Sequence, residues 1–327
     1  MYLPTEGYRI FAGTSNPDLA REIAEYLHTS LGQMRLERFS DGEIYAASEE
    51  NVRGVDAFVV QSTCPPVNDN IMELAIIIDS LKRASAERIT AVVPYYGYAR
   101  QEKKDAPREP IAARLVADIL ATAAGADRVV TIDLHAGAIQ GFFRIPTDHL
   151  TALPMFANYF LRKRLEGITV VAPDAGRVKA AEKLADYLNA PLTVVYKRRP
   201  HHQEAEVTHV VGDLEGQIPI IYEDMIATGG TLEACVEALL DHGAKPEIYI
   251  AATHPILTGP AVKRLNRREI AEVVVTNTIP VPPEKRFPRL RILSIAPLLA
   301  EAIRRIHHNE SVSALFKPPM VNNEPMY

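Results

Sequence analysis

Short runs of β-branched and apolar residues alternate with amphipathic stretches along most of the chain. Residues 9–12 predict a strand, and Asn16-Pro17 then predicts the start of a helix with Leu19, Ile23 and Leu27 on one face. Asn can accept from an amide of the first turn, and Pro fits a position whose N–H would have no partner. Residues 57–61 predict a second strand, followed over 68–84 by a longer helix with Ile71, Leu74, Ile78 and Leu81 aligned. Strands at 89–94 and 128–134 flank a helix near 111–123. Past Pro154, strands are predicted at 169–172, 192–196, 218–223, 248–252 and 272–276, and a last helix at 297–308. The strand runs are continuously apolar rather than alternating, which marks parallel sheets covered by helices on both faces. The expected fold class is α/β, with two mainly parallel sheets.

The alternation is interrupted over 144–154, leaving enough strands on each side for a sheet of its own. This divides the chain into a first half at 1–150 and a second half at 151–316. The tail 317–327, with three prolines and no apolar periodicity, reads as disordered. Composition narrows the function by exclusion. A net charge of −5 provides no broad basic field for nucleic acid. Basic residues cluster only locally, around Lys103, Lys104 and Arg108 and at Lys197–Arg199, a scale suited to a small anion. The two cysteines, Cys64 and Cys235, lie in apolar contexts and read as reduced core residues of a cytosolic protein. The first residues lack the basic start and apolar core of a signal peptide, and no apolar run approaches a membrane span.

The most informative chemistry lies where the strand at 218–223 ends. Glu223 and Asp224 are adjacent there, and Ala227-Thr228-Gly229-Gly230-Thr231 opens a helical pattern. Glycines let a backbone close around an anion, and a helix start adds amide donors and a positive dipole end. Two carboxylates can accept from neighbouring hydroxyls. The combination describes a sugar-phosphate site, with the acids on a ribose diol and the loop on the 5-phosphate.

This stretch resembles the ribose-phosphate loop of type I phosphoribosyltransferases. Further motifs narrow the resemblance to the ribose-phosphate diphosphokinase family, also called phosphoribosyl pyrophosphate synthetases. These are Phe39-Ser40-Asp41-Gly42-Glu43, Pro94-Tyr95-Tyr96-Gly97-Tyr98-Ala99-Arg100-Gln101, Asp133-Leu134-His135-Ala136, Gln140-Gly141-Phe142-Phe143, Lys197-Arg198-Arg199-Pro200 and Ser311-Val312-Ser313. The resemblance spans about residues 8–316 in order, and several motifs of this length together are highly specific. It implies two similar phosphoribosyltransferase-like domains, an ATP-binding and oligomerisation half followed by a ribose-5-phosphate-binding half, with helix 297–308 packed back on the first. It also implies transfer of the diphosphate of MgATP to ribose 5-phosphate, with Mg2+ as cofactor, and a homo-oligomer, a hexamer in the family. Inorganic phosphate is the implied regulator, near Arg53, Ser311 and Ser313.

Residue by residue, the resemblance implies that Lys197 and Arg199 are catalytic, delivered on a mobile loop, and that Arg199 also touches the ribose phosphate. ATP is assigned to Phe39, Asp41, Gly42, Glu43, Arg100, Gln101, Lys103, Lys104, Asp105 and His135, the Phe39 turn serving a neighbouring subunit. Ribose 5-phosphate is assigned to Glu223, Asp224, Ala227, Thr228, Gly229, Gly230 and Thr231. The metal falls to His135 and Asp174. Taken alone, His135 reads as a hydrogen-bonded strand-end histidine, because magnesium prefers oxygen donors.

The chain departs from the family pattern at several points. Glu223 and Ala227 stand where Asp is common, Asn51 where Ser is frequent, and Ala106-Pro107-Arg108 where many members carry a Ser in a loop of an allosteric nucleotide site. After Asp174 the usual His-Gly or Gly-Gly is replaced by Ala175-Gly176-Arg177, which adds a charge. A base-specific phosphoribosyltransferase would share the 223–231 segment but would not need the ATP motifs. A non-catalytic regulatory relative would not need the Lys197/Arg199 pair.

Overall fold

The computed structural model describes residues 7–201 and 204–316, with the backbone alone for 197–201 and 204–208; the tail expected to be disordered lies outside the described residues. The first half contains β1 (Tyr8–Ala12), α1 (Pro17–Tyr26), a hairpin of β2 (Met34–Arg38) and β3 (Ile44–Ser48), β4 (Asp56–Val60) and α2 (Val67–Arg83). It continues through β5 (Arg88–Val93), α3 (Ala112–Asp118) with a π-helical turn (Ile119–Ala123), β6 (Arg128–Ile132), β7 (Thr147–Leu150) and α4 (Leu153–Lys163). The second half runs β8 (Ile168–Ala172), α5 (Val178–Leu188), β9 (Leu192–His201), β10 (Glu204–Val211), β11 (Ile218–Ile226) and α6 (Gly230–Asp241). It closes with β12 (Ile248–Pro255), α7 (Ala261–Leu265), β13 (Ile270–Thr276), β14 (Leu290–Leu293) and α8 (Ala296–His307). The α1 start forms as its sequence predicts, with the Asn16 side chain accepting from the Leu19 amide and Pro17 at the first position.

The strands build a five-stranded sheet, β1-β4-β5-β6-β7, and a seven-stranded sheet, β10-β9-β8-β11-β12-β13-β14. Apart from β10, neighbouring strands within these two sheets pair in parallel. Strands β4, β11 and β12 are buried along their whole length, which accounts for their unbroken apolar runs. Helices α2 and α3 cover one face of the first sheet, and α6 and α7 one face of the second. The remaining faces look toward each other across a shared layer of α1, α4, α5 and α8.

The two halves match in detail. Each begins with a strand and a helix, continues through an antiparallel pair of strands into alternating strands and helices, and ends on a short edge strand followed by a helix, β7–α4 and β14–α8. The Asp133 amide donates to Leu150 O and the Asn277 amide to Leu293 O, both at 3.0 Å. Their side chains then cap equivalent helices: Asp133 Oδ2 accepts from Ala152 N at 3.0 Å, and Asn277 Oδ1 from Ile295 N at 2.8 Å. Leu31 makes an isolated parallel bridge to Ile10, in the place that β9 takes beside β8. Tyr95 and His254 lie two residues past the last β5–β6 and β12–β13 pairs, and their rings meet edge-on with centroids 5.1 Å apart. Equivalent residues meet in this way on an approximate two-fold axis.

The closing helices are exchanged between the halves. Helix α4 leaves the first sheet but packs on the second, through Phe156 on Tyr222, Phe160 on Tyr249 and Lys163 on Glu272 at 2.9 Å. Helix α8 leaves the second sheet but packs on α1 and the first sheet, where His307 Nδ1 meets Asp56 at 2.9 Å and Arg88 reaches Ile306 O at 3.2 Å.

Three features differ from the sequence expectation. The interruption at 144–154 contains β7, whose Thr147-Asp148-His149 are half-exposed and carry no apolar run. Strand β14 and the β2–β3 hairpin also escaped, being four or five residues long and only half-buried. The polar stretch from Lys197, expected to be a loop, has the backbone of an antiparallel ribbon of β9 and β10 with two register shifts. Strand β9 pairs with β8 only through Val194, so beyond it the ribbon stands off the sheet as two strands. A ladder of backbone groups needs no apolar periodicity to announce it.

The shared layer predicts one cooperative core. Ile303 on α8 is fully buried there, so Ile303→Ala is expected to cost about 2–5 kcal/mol. Denaturant unfolding followed by circular dichroism should show a single transition at lower denaturant; two separated transitions would contradict a layer common to both sheets.

Candidate active site

In parallel α/β sheets, ligand groups gather beyond the carboxyl ends of the strands, and here the ends of β5, β6, β8 and β11 frame one cavity of ≈ 480 Å³. Its walls include Arg100 and His135 from the first half, and Asp174, Arg177, Glu223, Asp224 and the segment Ala227–Thr231 from the second. Asp174 follows β8 and caps the single turn into α5, its Oδ1 accepting from Gly176 N at 2.8 Å and Arg177 N at 3.2 Å. Glu223 and Asp224 lie within β11 and are 8% and 4% exposed.

Two carboxylates buried side by side need compensating charge, and Arg177 supplies it. Its Nε lies 3.1 Å from Glu223 Oε1 and its Nη2 3.2 Å from Asp224 Oδ2. Nη2 also donates to the backbone carbonyl of His135 at 3.0 Å, tying the two halves together at the site. His135 Nδ1 sits 2.7 Å from Asp224 Oδ2. Arg177 Nη2, which can only donate, lies 3.1 Å from the same Nδ1, but the ionised carboxylate can only accept and is closer, so the proton is assigned to Nδ1 and Nε2 is left as an acceptor. Burial would raise Asp224, but the His135 hydrogen bond and the Arg177 charge outweigh it and hold the group at about 2. Burial, reinforced by the neighbouring Asp224, pushes Glu223 well above the usual carboxylate range, with Arg177 opposing. The pair is thus unequal: Asp224 carries the charge, and Glu223 takes up a proton more readily.

The loop after the acids is shaped by both of its neighbours. Gly229 adopts φ +74°, a left-handed conformation that suits glycine, and caps α6. The Leu257 and Thr258 amides donate to Ile226 O and Ala227 O, both at 2.9 Å. Arg264 donates to Thr228 O at 3.1 Å and pairs with Glu233 at 2.7 Å. Loop and helix start together form a concave, amide-lined wall at the positive end of the α6 dipole, the geometry that receives a phosphate.

Behind the site, buried His254 joins the sheets: its Nε2 lies 3.1 Å from Ile132 O and 3.2 Å from Asp133 O, and its Nδ1 3.0 Å from Thr278 Oγ1. Thr253 Oγ1 donates to Asp133 Oδ2 at 2.7 Å. Half-buried His149 accepts from Leu134 N at 2.8 Å through Nε2, fixing the turn that carries His135.

The residues singled out from sequence fall into three groups. Arg100, His135, Asp174, Glu223, Asp224, Ala227, Thr228, Gly229, Gly230 and Thr231 line the one cavity. Phe39, Asp41, Gly42 and Glu43 do not; they form the exposed tip of the β2–β3 hairpin, where the Phe39 amide donates to Glu43 O at 2.8 Å and Phe39 is 52% exposed. Gln101, Lys103, Lys104 and Asp105 are likewise off the cavity wall, in a largely exposed segment where Lys103 pairs with Asp105 at 3.1 Å. Lys197 and Arg199 lie on the β9–β10 ribbon, and their side chains are outside the described residues. Among the described residues no group of three or more His, Cys, Asp or Glu forms a metal cage. Arg177 is the site residue whose role sequence reasoning left open. One signal was available: a cation at a helix start opposes the helix dipole, and a broken local rule often marks a site.

Comparison with known proteins gives two family-model matches. Residues 8–125 match the N-terminal domain of ribose phosphate pyrophosphokinase, and residues 196–317 the phosphoribosyl synthetase-associated domain. The chain is 55% identical over 313 residues to a ribose-phosphate pyrophosphokinase of Caldanaerobacter subterraneus subsp. tengcongensis, covering 95% of this chain and 98% of the relative. It is 52% identical over 308 residues to the Bacillus subtilis ribose-phosphate pyrophosphokinase, covering 94% and 96%. The crystal structure of phosphoribosylpyrophosphate synthetase from Mycobacterium smegmatis superposes with a TM-score of 0.87 at 47% identity, covering 93% of this chain and 99% of that one.

His254 makes the scaffold of the site sensitive to acid. Burial lowers it from its ordinary 6.5, with nearby Asp133 and Asp224 opposing. The unfolded chain therefore binds this proton at a higher pH than the folded chain, and stability falls as pH drops below about 6.5. Melting temperatures measured from pH 8 to 5 are expected to decline on the acid side, and His254→Gln should make that decline shallower. An unchanged slope in the variant would remove His254 as its source.

Proposed function

The chain belongs to the ribose-phosphate pyrophosphokinase family, and on that premise we propose that it transfers the intact β,γ-diphosphate of ATP to the 1-hydroxyl of ribose 5-phosphate. The products are phosphoribosyl diphosphate, a precursor for nucleotide biosynthesis, and AMP. The observation that carries this reading is the single cavity in which the acid pair Glu223/Asp224 and the Ala227–Thr231 loop of one half face Arg100 and His135 of the other.

In this reading the 5-phosphate lies on the loop at the α6 start, and the 2- and 3-hydroxyls donate to Glu223 and Asp224. The 1-hydroxyl oxygen attacks the β-phosphorus in line: the new O–P bond forms as the bond from the β-phosphorus to the oxygen bridging toward the α-phosphate breaks. AMP departs with that oxygen, and the hydroxyl proton leaves to solvent. Phosphoryl chemistry of this kind depends mainly on positioning and on offsetting charge, so no side chain need serve as a dedicated base. Lys197 and Arg199, on the ribbon that stands off the sheet, offset charge on the transferred group and on AMP.

Magnesium arrives with the nucleotide. The donor set supports this, because Mg2+ keeps phosphate and water oxygens and adds one or two carboxylates rather than a full protein cage. Asp174, half-buried on the cavity wall, is such a carboxylate, and His135 lines the same cavity from the first half. Bound there, the ion would draw charge from the diphosphate. ATP is assigned to Arg100, Gln101, Lys103, Lys104, Asp105 and His135 of its own chain, and to Phe39, Asp41, Gly42 and Glu43 of a neighbouring copy. The exposure of that hairpin tip, away from its own cavity, supports its service to a second subunit. Assembly as a hexamer, with phosphate acting near Arg53, Ser311 and Ser313, follows the family pattern. Two buried cysteine thiols suit a reducing cytoplasm, and no helix among the described residues is long and apolar enough to cross a membrane.

Purified protein given MgATP and phosphate is expected to release AMP only when ribose 5-phosphate is present. In Lys197→Ala that release should fall by about 10²–10³-fold, the scale of losing one donor to developing charge. Absence of ribose-dependent AMP from the wild type would overturn the proposal.

A further inference from the structure

We propose that Arg177 is a positioning residue for ribose 5-phosphate: its guanidinium, on the wall of the same cavity, clamps Glu223 and Asp224 and fixes the oxygens they present to the sugar. The inference rests on the assignment of that acid pair to the ribose diol. The clamp is two-pronged, Nε on Glu223 Oε1 at 3.1 Å and Nη2 on Asp224 Oδ2 at 3.2 Å. A planar guanidinium can hold both acids in one plane, whereas an ammonium would act as a point charge. The Arg177 side chain is 13% exposed and is anchored independently of the acids: its amide donates to Asp174 Oδ1 at 3.2 Å, and Nη2 donates to His135 O at 3.0 Å. Asp224 is held from another side by His135 at 2.7 Å, and its own Oδ1 accepts from Met225 N at 2.8 Å. Glu223 Oε1, in turn, accepts from the Asp224 amide at 3.0 Å. Without the guanidinium, two adjacent buried carboxylates repel each other, and their orientation is no longer set before the sugar arrives.

Direct binding of ribose 5-phosphate, followed by calorimetry in the absence of ATP, reads this without turnover. Arg177→Ala is expected to bind at least tenfold more weakly, with millimolar methylguanidinium restoring part of the loss. Arg177→Lys, which keeps the charge but not the fork, should fall between Arg177→Ala and wild type. Melting temperatures of both variants report folding, and should Arg177→Ala fail to fold, Arg177→Lys alone decides. Wild-type affinity in Arg177→Lys would overturn the clamp. So would unchanged or tighter binding by Arg177→Ala, the latter because the guanidinium would then be an obstacle to the diol. Asp224→Asn separates this inference from its premise. Unweakened binding in that variant would overturn the ribose assignment itself, whereas a loss there without a loss in Arg177→Ala overturns the clamp only.

Discussion

Burying two adjacent carboxylates at the end of a strand is the constraint around which this active site is organised. Left without a partner, a buried charge costs about 3–5 kcal/mol, so positive charge and hydrogen-bond donors must converge on Glu223 and Asp224 from elements far apart in sequence. Arg177 comes from the turn after β8, and His135 from the turn after β6 in the other half. Satisfying the acids therefore fixes the relation of β6, β8 and β11, and with it the shape of the cavity they frame. The second half carries both the acids and the Arg177 charge, and the first half adds the His135 ring contact to Asp224 and the His135 carbonyl that anchors Arg177, so the site is assembled from both halves.

The approximate two-fold axis shows that the same scaffold has been used twice with different chemistry. A second groove of ≈ 630 Å³ occupies the related position, lined by Asn16, Cys64, Pro65, Asn277 and Lys285 among others. Following the strand registers, Gln61 and Ser62 stand where the second half has Glu223 and Asp224. Gln61 is locked into a neutral-donor network with Ser15 and Glu73 rather than facing a cation. Pro65-Pro66 precedes α2 where Gly229 precedes α6. Prolines have no amide hydrogen to offer an anion. Equivalent backbone, with these substitutions, no longer offers what a phosphate and a diol require.

How much of this was legible in the sequence depended on which force shaped each element. Strands β4, β11 and β12 are buried on both faces, so their apolar runs betrayed them. The helix start at Asn16-Pro17 followed from local hydrogen bonding. The Ala227–Thr231 loop could be read because an anion site needs small residues and a helix start in a fixed order. Strands β7 and β14 were hidden, being short edge strands with half-exposed side chains, and the β9–β10 ribbon was hidden because backbone pairing leaves no mark on side-chain pattern. The partner of the acid pair was hidden for a different reason. Arg177 is separated from Glu223 by 46 residues, and nothing local reveals that the two meet; the oddity of a cation at a helix start was the one trace.

The exchanged helices change what the link between the halves means. Because α4 packs on the sheet that comes after it in sequence rather than the one it leaves, and α8 packs back on the first, each half is finished by material belonging to the other. The short stretch joining α4 to β8 therefore does not hold two finished bodies together. It acts as a tether that keeps two mutually dependent pieces at high effective concentration. In energetic terms the chain is an obligate dimer written as one polypeptide. A break in that tether would leave a non-covalent complex, and only dilution could turn it into two separate proteins.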